Sequence, residues 1–103
     1  MASVNVNLIV EFLGTFISIY AILQSYKFPT VKPFVIAAGI IVAEVMFGSV
    51  SGGHFNPAVT AMMYAKGNRE VARPQDAVGY IAVQILGGMA AWEAQSFINE
   101  KIQ

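Results

Sequence analysis

Apolar residues in this chain run in long blocks, separated by short segments rich in proline, glycine or charge. The first block extends from Val4 to Tyr26 and is interrupted by Asn5, Asn7, Glu11 and Gln24. Apolarity over that length predicts a bilayer-spanning helix at 4–26, since about 20 residues cross a ~30 Å hydrocarbon core. It lacks the cationic start and small-residue cleavage site of a secretory leader, so the helix is expected to be retained. Lys27 to Pro33 reads as a short loop holding two prolines. A second span follows at 34–50, at the short edge for a crossing.

Ser51-Gly52-Gly53 breaks the apolar run. Pro57 has no backbone donor and fits the first turn of a helix, so Asn56 reads as the cap of a helix over 57–66. At ~1.5 Å per residue that helix is roughly 15 Å long, half the hydrocarbon thickness. Lys66 to Arg73 is a polar loop. Pro74-Gln75-Asp76 opens a third span, placed at 75–95 and apolar from Ala77 to Trp92 except for Gln84. Trp92 falls where an interfacial aromatic belongs, and a polar tail continues to Gln103. The element order is span, span, half-helix, span. This predicts an all-α membrane protein forming a single domain over 1–103.

Composition agrees. Of 103 residues, 56% are hydrophobic and 12% charged, against roughly 25% charged in ordinary soluble domains. Mean hydropathy is +0.61. The net charge of zero argues against nucleic acid as a partner and leaves membrane lipid as the expected surroundings. With no cysteine, disulfides and thiolate metal sites are excluded. No nucleophile–base pair, metal cluster or phosphate loop is visible. No catalytic residue, metal or cofactor is therefore expected, and the chain is not read as an enzyme.

A half-helix beginning at membrane depth constrains the backbone before it. In hydrocarbon, each polar backbone group is satisfied internally or lines a wet cavity. Ser51 to Phe55 is expected to be extended, with carbonyls facing a pore or protein. Asn56 offers side-chain N–H groups at a positive helix end worth about half a unit charge. Such an arrangement orients a neutral solute and opposes cations.

Ser51-Gly52-Gly53-His54-Phe55-Asn56-Pro57-Ala58-Val59-Thr60 closely resembles the first signature of the aquaporin and glycerol-facilitator (major intrinsic protein) family. Glu11-Phe12-Leu13-Gly14-Thr15-Phe16 resembles the family's first-helix motif, and Tyr80-Ile81-Ala82-Val83-Gln84-Ile85-Leu86-Gly87 its third-helix motif. Order and spacing fit over nearly the whole chain, which is similar to the first of the family's two repeats only. The resemblance implies an aquaporin-like half-repeat with three transmembrane helices plus one re-entrant half-helix. It further implies a pore in which Gly52, Gly53, His54 and Phe55 supply a carbonyl ladder and Asn56, Pro57 and Ala58 meet solute. In the family an aromatic or His usually stands where Ile36 stands here, so the resemblance implies a wider, less polar constriction. The arginine of the second repeat's filter has no counterpart; Val59 follows Ala58.

Three titratable residues keep two readings each. The resemblance implies that His54 braces the re-entrant loop, with pH gating as the other reading. It implies that Glu11 accepts hydrogen bonds from the loop bearing Asn56; proton or cation handling is the alternative. Glu44, in the second span, departs from the family pattern. It either faces a neighbouring subunit or polar pore wall, or forms a substrate or proton site.

Small residues at spacing four (Gly79, Val83, Gly87 and Ala91, with Gly88 beside them, and Gly14 with Ser18) predict close helix contacts. The resemblance implies that one repeat closes a pore only with a second, inverted one. Lys66, Arg69 and Arg73 flank one side and Lys27, Lys32 and Lys101 the other, so the positive-inside rule gives no bias. The expectation is a passive channel for water or small neutral solutes such as glycerol, completed by a second copy or another aquaporin-like subunit, an antiparallel homodimer included. A non-conducting subunit that binds a full-length relative and a dual-topology proton-coupled transporter using Glu11 or Glu44 are the alternatives.

Overall fold

Ser3 to Ile102 are described in the computed structural model; Met1, Ala2 and Gln103, the last being the end of the expected tail, lie outside the described residues. Helix α1 is Val4–Ser25, α2 Lys32–Ser51, α3 Pro57–Ala65 and α4 Pro74–Ile102, with 3-10 turns at Pro29–Val31 and Arg69–Val71. Helices α1, α2 and α4 are each long and apolar enough to cross a membrane. Helix α1 packs along both α2 and α4, and α3 lies against α4.

Polarity is turned inward. On α1, Asn7, Glu11, Thr15 and Ser18 are buried and fall on one stripe at spacings of three and four. Glu11 is 0% and Gln84 1% exposed, while Val45 is 78% and Phe34 74% exposed. In water this would leave the apolar groups unburied; in hydrocarbon they meet lipid and the polar groups meet each other.

Two helix bounds differ from the sequence expectation by more than one residue. Helix α2 begins at Lys32, before Pro33, because proline is tolerated in a first turn, where its missing N–H has no intrahelical partner anyway. Helix α4 continues through the expected tail to Ile102. Its last turns carry good helix formers (Ala94, Gln95, Glu100, Lys101) around Phe97 and Ile98. Lys27 Nζ donates to Asn99 Oδ1 at 3.0 Å, tying that extension to the α1–α2 turn. The molecule is 45 Å long, as a helix of 29 residues at ~1.5 Å rise requires.

The small-residue stripe lies at the α1–α4 seam. A Cβ on Gly87 would stand 2.6 Å from the Phe12 carbonyl oxygen, and one on Gly79 would press on Leu8. Ala91 is fully buried. Backbone has no room to yield at Gly87. Gly87→Val is therefore expected to part α1 from α4, with a loss of about 1–3 kcal/mol read as a lower unfolding midpoint in detergent.

Candidate functional site

The chain turns from α2 into α3 through Gly52 to Phe55. Gly52 (φ 95°) ends α2, donating its N–H to the Gly48 carbonyl at 2.9 Å. Gly53 follows at φ 64° and Phe55 at φ 52°. The segment is non-helical, as expected, but Ser51 belongs to α2 and the backbone is left-handed at these positions rather than extended. An extended run would carry the chain onward; left-handed residues turn it so that α3 can start against α4. Glycine meets that geometry freely. Phe55 does not, at about 1–2 kcal/mol.

Glu11 is what holds it there. Phe55 N–H donates to Glu11 Oε1 at 2.7 Å and His54 N–H to Oε2 at 3.0 Å. Ser51 Oγ donates to Oε2 at 2.7 Å, and Gln84 Nε2 to Oε1 at 2.9 Å. Two oxygens thus receive four donors from α2, the loop and α4. The Phe55 ring, 7% exposed, packs with Val10 and Ala43 and lies on Gly14, where any Cβ would collide with it.

A second row of bonds locks the start of α3. Gln84 Nε2 also donates to Thr60 Oγ1 at 2.8 Å, and that hydroxyl lies 3.0 Å from His54 Nδ1. Because the carboxylate of Glu11 only accepts, Gln84 presents its nitrogen there, and the Thr60 hydroxyl shares a further hydrogen bond with Nδ1. On the far side of the ring, Nε2 lies 3.7 Å from Glu70 Oε1. Tyr80 stands against the His54 ring at 5.0 Å between centroids, and its hydroxyl donates to the Ser51 carbonyl at 2.6 Å.

Asn56 has β-region dihedrals and caps α3: its Oδ1 accepts from the Ala58 N–H at 2.8 Å, and its carbonyl from the Thr60 N–H at 3.0 Å. Capping occupies the amide oxygen and leaves the side-chain N–H groups on an exposed residue. Asn56 lines a cavity of about 630 Å³ with Pro57, Phe55, His54, Gly53 and Glu44. Four isoleucines (Ile19, Ile22, Ile40 and Ile85) line the rest together with Val59 and Met89 and the polar Thr15, Ser18 and Gln84, Ile40 standing one turn before Glu44 on α2. Gly52 faces a separate, smaller recess beside Glu70. Ile36, one turn before Ile40, and Ala58 stand outside the lining of the larger cavity.

In the sequence Gln84 stands out as the one polar residue in its span and as part of the third-helix motif. Its isolation among apolar residues was the signal. Ser51, Thr60 and Tyr80 stand within the quoted motifs, but their bonds carry no local signal, because each depends on a partner far along the chain. Beyond α3, Arg73 and Asp76 form a bidentate pair, Nη2–Oδ1 at 2.7 Å and Nε–Oδ2 at 2.9 Å. That hydrogen bond raises the exposed Arg73 guanidinium above its ordinary pKa and fixes the entry to α4.

The major intrinsic protein family model matches residues 2–101. A glycerol uptake facilitator protein-like 6 from Lactiplantibacillus plantarum is 41% identical over 86% of this chain and 42% of its own length. Aquaporin Z from Photorhabdus laumondii is 36% identical over 82% of this chain and 40% of its own length. Aquaporin NIP3-1 from Arabidopsis thaliana is 37% identical over 82% of this chain and 28% of its own. The chain thus spans well under half the length of these curated relatives. No solved structure matches it.

Proposed function

The chain belongs to the major intrinsic protein family, and on that premise we propose that it forms one wall of a passive conduit for water and small neutral solutes. It is an integral, multi-pass membrane protein. One observation carries the reading: Asn56, capping a half-helix of 9 residues, stands exposed on a cavity between helices long enough to span the bilayer. A capped half-helix spends the amide oxygen internally and keeps its N–H groups for a passing solute oxygen. The positive end of α3 repels cations from the same point. Glycerol comes in as a candidate solute from the name of the facilitator relative.

We propose a second, inverted repeat as the facing wall, which another copy of this chain or another aquaporin-like subunit can carry. Basic residues support this, since Lys66, Arg69 and Arg73 at one end balance Lys27, Lys32 and Lys101 at the other. Within this reading His54 and Glu11 brace the loop, and the apolar row led by Ile36 lies toward a wide mouth.

Stopped-flow shrinkage of reconstituted vesicles, with water and with glycerol, tests the proposal. Osmotic permeability above protein-free vesicles is expected from the wild type. Asn56→Asp puts an anion beside the positive helix end and is expected to raise cation leak about tenfold, read with an entrapped pH dye. Permeability equal to that of empty vesicles would remove the conduit reading.

A further inference from the structure

We propose that Glu44 forms a binding site for a small alkylammonium ion inside the conduit, an inference that rests on the conduit reading above. Glu44 lies one helical turn after Ile40 on α2, and both line the cavity that Asn56 lines. Its carboxyl group is seated over two glycines. A Cβ on Gly48 would stand 2.8 Å from Glu44 Oε1, and one on Gly53 would collide with that oxygen. Any larger residue at either place would displace the carboxyl.

Nothing in the described residues neutralises it. Among them Arg73 pairs with Asp76, His54 Nε2 lies 3.7 Å from Glu70, and the N–H groups of His54 and Phe55, with Ser51 Oγ and Gln84 Nε2, are directed at Glu11. A carboxylate within a span is ordinarily paired. Thr15, 3% exposed, lines the same cavity, and its buried Oγ1 has no hydrogen-bond partner.

Charge and wall chemistry together select the ligand. When ionised, Glu44 sets a full negative charge against the roughly half positive charge at the start of α3 and draws cations toward itself. Hard metal cations need about six oxygen ligands to replace their water, more than this isoleucine-rich wall supplies. A neutral polyol leaves the carboxylate uncompensated. An alkylammonium satisfies both surfaces: its N–H donors meet Glu44, and its carbon meets Ile19, Ile40 and Ile85. The positive end at Asn56 then stops the ion, which sits as a plug in the water path.

Methylammonium is the probe. In nanodiscs of zwitterionic phosphatidylcholine, its methyl resonance is expected to broaden with the wild type and with Glu44→Asp. With Glu44→Gln, binding is expected to weaken about tenfold. In vesicles, methylammonium is expected to slow osmotic flow through the wild type and leave flow through Glu44→Gln unchanged. Equal broadening by wild type and Glu44→Gln, or none by the wild type, overturns the site. Vesicles without osmotic flow would sink the conduit reading alone, because the nanodisc comparison decides the site by itself.

Discussion

Glu11→Gln is expected to destabilise the protein by about 3 kcal/mol and to bring osmotic permeability down to that of empty vesicles, with helix content retained. The carboxylate receives donors from Ser51, His54, Phe55 and Gln84. A carboxamide keeps one acceptor oxygen and turns an NH₂ group toward the rest. Ser51 Oγ can rotate and accept from that group, but the His54 N–H is fixed by the backbone and is left facing another donor. A stranded buried donor costs ~1–3 kcal/mol, and the left-handed Phe55 loses part of what holds it. Thermal unfolding in detergent, read beside vesicle shrinkage, checks both halves. An unchanged midpoint with unchanged flow would show that the loop is held by something other than Glu11.

The second large effect is expected from Gly14→Val. The Phe55 ring occupies the place of a Gly14 side chain, so the new group would expel it from the pocket it shares with Val10 and Ala43. Phe55 cannot withdraw without dragging its N–H from Glu11. Overpacking of this kind costs about 1–3 kcal/mol, yet the functional loss should exceed the stability loss, because the displaced residue adjoins Asn56. Conduction lost while helix content is retained and the midpoint falls by roughly 5–20 °C is the expected signature. A conducting variant would mean that the ring is not what positions the loop.

Local signals made much of this legible before any coordinates. Asn56-Pro57 predicts a cap and a helix start, and both are present. Gly52 after an apolar run predicts a break, and its left-handed φ supplies one. Glycine and alanine at spacing four predict a seam, found between α1 and α4. What stayed hidden is non-local. Gln84 reaches Glu11 across 73 positions and Thr60 across 24, and no periodicity reports which polar groups meet when helices assemble. Left-handed Phe55 was hidden for another reason: its own chemistry disfavours the conformation, and only its partners impose it. Residues 96–102 lie beyond the span expected at 75–95, in a tail set apart by its polarity, yet they are helical, because a helix outlasts the membrane wherever propensity and a contact such as Lys27–Asn99 sustain it.

The four-donor hub has a consequence for the order in which the molecule is made. Ribosomes deliver Glu11 first, then Ser51, His54 and Phe55, and only later Tyr80 and Gln84. While α4 is still unsynthesised, Glu11 lacks one donor, Thr60 lacks its amide partner, and the Ser51 carbonyl lacks the Tyr80 hydroxyl. A loop with such unmet groups is costly to hold in hydrocarbon. The re-entrant segment should therefore wait at the aqueous surface during translation and slip into the membrane as a late, single event, when arrival of α4 closes the set.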